Sequence, residues 1–81
     1  MQVDSTLLIK SLPILEQGDL GIAVTVLQRL LALYNYLSND AINGNFSWST
    51  DDAVRQFQHD NGLYEDGIVG FHTWKALANL N

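Results

Sequence analysis

The chain has 81 residues, 47% of them hydrophobic and 16% charged, with a formal net charge of -5 and no cysteine. That composition describes one folded domain with a modest core, and it excludes a disulfide framework or a thiolate metal site. With Lys10, Arg29, Arg55 and Lys75 as its only basic residues, the chain is poorly suited to a phosphate backbone or an anionic membrane surface.

The opening "MQVDSTLLIK" lacks a basic start, and no apolar run approaches the length of a membrane span, so neither a signal peptide nor an anchor is expected in this chain. Residues 1–12 read as an N-terminal arm holding at most one short helix, and residues 13–81 as the domain, with Pro13, Gly18 and Gly21 punctuating its lead-in. Residues 22–37 then follow a helical period. Val24, Leu27, Leu31 and Tyr34 form one line, with Ala23, Val26, Leu30, Leu33 and Leu37 beside it. The apolar arc is wider than the ~100° stripe of a surface helix, which predicts a central helix packed on two sides.

The loop formers of "SNDAINGN" end that helix. Thr50 stands where the N-cap of a second helix, residues 50–61, belongs, and Asp51 and Asp52 suit the helix dipole. Ala53, Val54 and Phe57 share its inner face, while Asp52, Arg55, Gln56 and His59 fall outside. Gly62 is placed to terminate it in a left-handed conformation, with Leu63 folding back near Phe57. Thr73 caps a third helix, residues 73–80, whose apolar surface comes from Trp74, Leu77, Ala78 and Leu80. No segment alternates like a strand. The expected fold is all-α, a compact three-helix bundle with an N-terminal arm.

Part of the chain is written twice. "NGNFSWSTDDAV" and "DGIVGFHTWKAL" align Gly44 with Gly67, Phe46 with Val69, Thr50 with Thr73 and Val54 with Leu77, each pair 23 positions apart. The hexapeptides "AVTVLQ", "AVRQFQ" and "ALANLN" add a third echo. Three imperfect units fit a pseudo-symmetric bundle better than a solenoid. The repeated phrase acts as a loop-to-helix entry: a glycine for the turn, an apolar anchor, and a threonine at the helix start.

Together, "LEQGDLGIAVTVLQRLL", "NGNFSWSTDDAVRQFQHDNGL" and "DGIVGFHTWKAL" resemble the small peptidoglycan-binding domain commonly attached to bacterial cell-wall hydrolases, over residues 13–80. The resemblance implies a three-helix fold, a non-catalytic role, recognition of the wall polymer and no cofactor. It places the chain in the cell wall, the periplasm or outside the cell. Asn43 and Ser47 stand where the first loop of the family usually has Asp and Gly, so that loop is expected to differ in shape from the second. A similar module forms the leading segment of animal matrix metalloproteases. An alternative function is therefore a protein interaction or prodomain-like module on the same fold.

The polar candidates divide into scaffold and surface. Gln28 and Gln58 repeat at the edge of the apolar stripe, which favours contacts to nearby loop backbone over contacts to ligand. Asp66 is expected to accept from its own loop in an Asx turn. His59 and His72, with Asp60 and Asp66, do not supply convergent zinc ligands. The neighbours Glu65–Asp66 and Asp51–Asp52 do not face each other across a cleft as glycosidase carboxylates must. No serine sits in a G-x-S-x-G turn. No catalytic, metal or cofactor-binding residue is therefore expected.

Ligand contact is assigned to Tyr36, Trp48, Tyr64 and Asn45, because sugar C–H surfaces rest on aromatic faces while amides take hydroxyl and peptide groups. Trp48 has a second reading, since it aligns with Phe71 and could wedge beneath its helix. The expected partners are peptidoglycan glycan or stem peptide and a fused or associated wall hydrolase, with no nucleic acid and no membrane, for a monomer.

Overall fold

Three left-handed residues decide where the helices stop. The computed structural model describes residues 5–79, in which α1 (Ser5–Lys10), α2 (Ile22–Leu33), α3 (Trp48–Asp60) and α4 (Phe71–Leu77) follow in order. A 3₁₀ turn, Asn39–Ala41, lies between α2 and α3. The described residues hold no strand, only isolated antiparallel bridges between Leu15 and Val69 and between Leu20 and Asn45. The fold is all-α, with α2, α3 and α4 as the three main helices.

At the end of α3, Gly62 adopts φ 68°. The Leu63 N–H reaches the Gln58 carbonyl (2.8 Å) and the Gly62 N–H reaches His59 (3.2 Å), a Schellman closure. The same closure ends α2 four residues before the expected position. Asn35 takes φ 68°, Tyr36 N–H bonds to the Leu31 carbonyl (2.8 Å) and Asn35 N–H to that of Ala32 (3.0 Å). Asparagine tolerates this conformation through local hydrogen bonding, and its stop signal is weaker than that of glycine. Asn79, with φ 57°, follows α4 in the same way.

The helix starts correct the expected caps. Ser47 precedes α3 and Gly70 precedes α4, so Thr50 and Thr73 lie inside the first turns, both buried. Their hydroxyls serve the side chains described below, not the free N–H groups of the helix ends. Ala78 is exposed, and Leu80 lies outside the described residues.

The core gathers Leu27 and Leu31 of α2, Phe46, Val54 and Phe57 around α3, and Val69, Trp74 and Leu77 around α4. Burying each such side chain contributes about 1.5–3 kcal/mol. The arm takes part in this core: Ile9 is buried and α1 packs on α4. Behind it the Trp74 indole N–H donates to the Pro13 carbonyl (2.8 Å), and Leu15 and Val69 exchange both backbone bonds (3.1 and 2.8 Å). Residues 1–4 of the arm lie outside the described residues.

α2 is not packed on two sides. Val24, Leu27 and Leu31 are fully buried, yet Ile22, Val26 and Leu33 on the opposite side remain exposed. α1 settles on α4, and no described element covers the outer face of α2.

Candidate functional site: two loops held by buried amides

Each repeat unit is organised by one glutamine. Gln28 is fully buried. Its Oε1 accepts from the N–H groups of Asn43 (3.0 Å) and Gly44 (2.9 Å), and its Nε2 donates to the Asn45 carbonyl (2.9 Å) and the Thr50 hydroxyl (3.0 Å). Gln58 repeats the arrangement. Its Oε1 accepts from Gly67 N–H (3.0 Å), and its Nε2 donates to the Ile68 carbonyl (3.0 Å), the Thr73 hydroxyl (3.1 Å) and Asp66 Oδ1 (3.1 Å). Both amides are consumed by the scaffold, as the repeat implies. Among the described residues no buried side-chain polar atom lacks a partner, so any ligand must use the surface.

The second loop is the more tightly built. Asp66 Oδ1 accepts from Ile68 N–H (2.9 Å), closing the expected Asx turn. Asn43 closes the matching turn in the first loop through Asn45 N–H (3.0 Å), so the Asn at this position preserves the geometry. Gly67 has φ 73°, and a Cβ there would collide with Asp51 and Arg55. That close approach lets Arg55 bond to Asp51 (2.9 Å) and to the Glu65 carbonyl (3.0 Å), clamping the loop along α3. The carboxylates in and beside it are engaged locally: Asp51 of α3 with Arg55, Glu65 with His59 (2.6 Å), Asp66 with its own loop. No group of three His, Cys, Asp or Glu side chains among the described residues is disposed to hold a metal ion.

A cleft of about 330 Å³ opens between this loop and α4, walled by Leu63, Tyr64, Ile68, Phe71 and His72. Tyr64 stands 89% exposed at its edge. Trp48 is 73% exposed in the first turn of α3, with Asn45 also exposed just before it, so Trp48 does not wedge beneath the helix. Tyr36 sits near the other end of α3, about 18 Å away along the helix axis. Its ring packs edge-on against Phe57 (centroids 5.5 Å apart) and its hydroxyl donates to Asp60 (2.6 Å). That bond, with desolvation and the Asp60 charge, raises the Tyr36 pKa above its usual value.

Of the sequence-assigned residues, Asn45 and Trp48 lie at the start of α3, Tyr36 packs against Phe57 near its end, and Tyr64 stands in the following loop at the cleft. The cleft walls Ile68 and Phe71 were missed by sequence reasoning. The signal was in the repeat, where they occupy the positions of Asn45 and Trp48 in the second unit.

Residues 21–77 match the family model of the peptidoglycan binding domain. The chain belongs to this family. It is 46% identical over 68 residues, 80% of its length, to an uncharacterized protein of Kitasatospora aureofaciens. It is 42% identical over 65 residues, 79% of its length, to a spore cortex-lytic enzyme of Bacillus subtilis. The chain spans 55% of the first relative and 21% of the second. Among solved structures it is similar to the SleB N-terminal domain, with TM-score 0.80 and 32% identity over 85% of this chain and 93% of that one.

Proposed function

We propose that this domain is a non-catalytic binding module that holds itself, or a hydrolase joined to it, on bacterial peptidoglycan. Its place is then the cell wall or its exterior face. The observation that carries this reading is the exposed Tyr64 beside an apolar cleft, in a family member whose buried side-chain polar atoms, among the described residues, are all spent on the scaffold. A sugar ring or stem-peptide segment would rest on Tyr64 and the Ile68–Phe71 wall. Trp48 with Asn45 offers a second point of contact, and Tyr36 a third. The module would raise the local concentration of an attached catalyst and perform no bond chemistry itself.

The test is sedimentation with insoluble sacculi, comparing the parent with Tyr64→Ala, Phe71→Ala, Trp48→Ala and Tyr36→Ala, each with its melting temperature. Tyr64→Ala should lose binding several-fold with its melting temperature intact. Parent-level binding by Tyr64→Ala and Trp48→Ala alike would remove the aromatic surface from the account.

A further inference from the structure

The outer face of α2 carries an apolar stripe that the fold does not use. Ile22 is 84% exposed, Val26 46% and Leu33 77%, and exposed Arg29 completes the line. At 100° per residue these four side chains fall within an arc of roughly 60°, diametrically opposite the buried line of Val24, Leu27 and Leu31. Leu20, just before the helix start, is also exposed, at 76%. Beside the last turn of the helix lies a groove of about 440 Å³ lined by Arg29, Ala32, Leu33, Asn35, Asn39 and Ile42.

The stripe reads the same from either end: Ile22, Val26, Arg29 and Leu33 are separated by four, three and four residues. Two copies of α2 packed antiparallel about a two-fold axis therefore bring Ile22 opposite Leu33 and Val26 opposite the aliphatic stem of Arg29, with each contact made twice. The same axis carries Ile22 of one copy to the groove beside Leu33 of the other. The Arg29 heads reach the rim and stay hydrated. They are the only cations on α2, in a chain of net charge -5. We propose that this face is a self-association surface, occupied by a second copy of this chain in an antiparallel α2 pair.

The area fixes the strength to expect. The exposed apolar side chains would bury on the order of 500 Å² per copy, about 1,000 Å² for the pair, the lower edge of a specific interface. The dimer is therefore weak, and size and charge favour the monomer at low concentration. Because both copies are acidic, added salt should tighten the pair by screening their repulsion.

The absence of cysteine from the chain makes the register directly readable. Facing helices 8–10 Å apart bring opposed Cα atoms to within disulfide range. Sedimentation equilibrium of the full chain, from about 10 µM to about 1 mM, a span suited to an interface of this size, should show the mass rising toward twice the 9.0 kDa monomer. Ile22→Asp and Leu33→Asp should stay monomeric with parental melting temperatures. Under mild oxidation, Ile22→Cys mixed with Leu33→Cys should cross-link as the mixed pair several-fold faster than either variant alone. A parent that stays monomeric throughout overturns the proposal. So does dimerisation that survives both Asp variants, or cross-linking of Ile22→Cys preferentially with itself, which would require a parallel register.

Discussion

Removing the Gln58 side chain tests the central structural argument, that one amide holds each loop. In Gln58→Ala the buried Gly67 N–H loses its acceptor, and the Ile68 carbonyl, Asp66 and the Thr73 hydroxyl lose a shared donor. An unsatisfied buried donor alone costs about 1–3 kcal/mol, and truncating a fully buried side chain adds a cavity. The expected loss is about 3 kcal/mol, a large share of the ~4–12 kcal/mol available to a domain of this length. At roughly 4–8 °C per kcal/mol for a domain of this size, the melting temperature should fall by ~12 °C or more. Urea unfolding of Gln28→Ala, Gln58→Ala and Gln58→Leu measures this. The Leu variant retains the volume and isolates the polar part of the loss. Gln56→Ala is the control, since that amide meets only exposed Asp52 and should change stability by less than ~0.5 kcal/mol. A loss below ~1 kcal/mol in both Gln28→Ala and Gln58→Ala would refute the reasoning.

Three further outcomes follow from other contacts. A double-mutant cycle of Gln58→Ala with Thr73→Val should give a coupling of at least ~0.5 kcal/mol, as for residues sharing a hydrogen bond; additive effects would return Thr73 to a local helix role. Trp74→Ala removes a buried indole bonded to Pro13 and should cost about 3–5 kcal/mol, whereas exposed Trp48→Ala should stay within ~0.5 kcal/mol; comparable melting temperatures for the two would contradict the burial argument. The hydrogen bond and charge of Glu65, aided by Asp60, raise the His59 pKa above the usual 6.5. The stabilising pair is thus present below that value and lost as pH rises through the folded pKa. An imidazole NMR titration should show a midpoint above 6.5 that drops in Glu65→Gln, and an unmoved midpoint would count against the pair.

Much of this fold was legible because the repeat encodes it twice. Gly62, the Asx turn at Asp66, the inner face of α3 and the structural role of the two glutamines all followed from residue type and spacing. The caps were misread because a threonine near a helix start satisfies two readings, and only a glutamine on a distant segment decides between them. The end of α2 was overrun because Asn35 stops the helix through a conformation that asparagine adopts less often than glycine. The outer face of α2 looked like core because apolar periodicity cannot tell whether a neighbour is present. For the candidate site, exposed Trp48 and Tyr64 were visible as aromatics in polar loops. The cleft was not, because its walls come from α4 and from the loop brought beside it by the Gln58 bonds.

The fastening of α1 and Pro13 to α4 has a topological consequence. The first and last helices of the described residues are in contact, and the seam between them and the segment 13–15 is held by Trp74 and the Leu15–Val69 bridge. A short linker across that seam, with new ends opened in the exposed segment 38–40, should yield a circular permutant that keeps every buried amide contact.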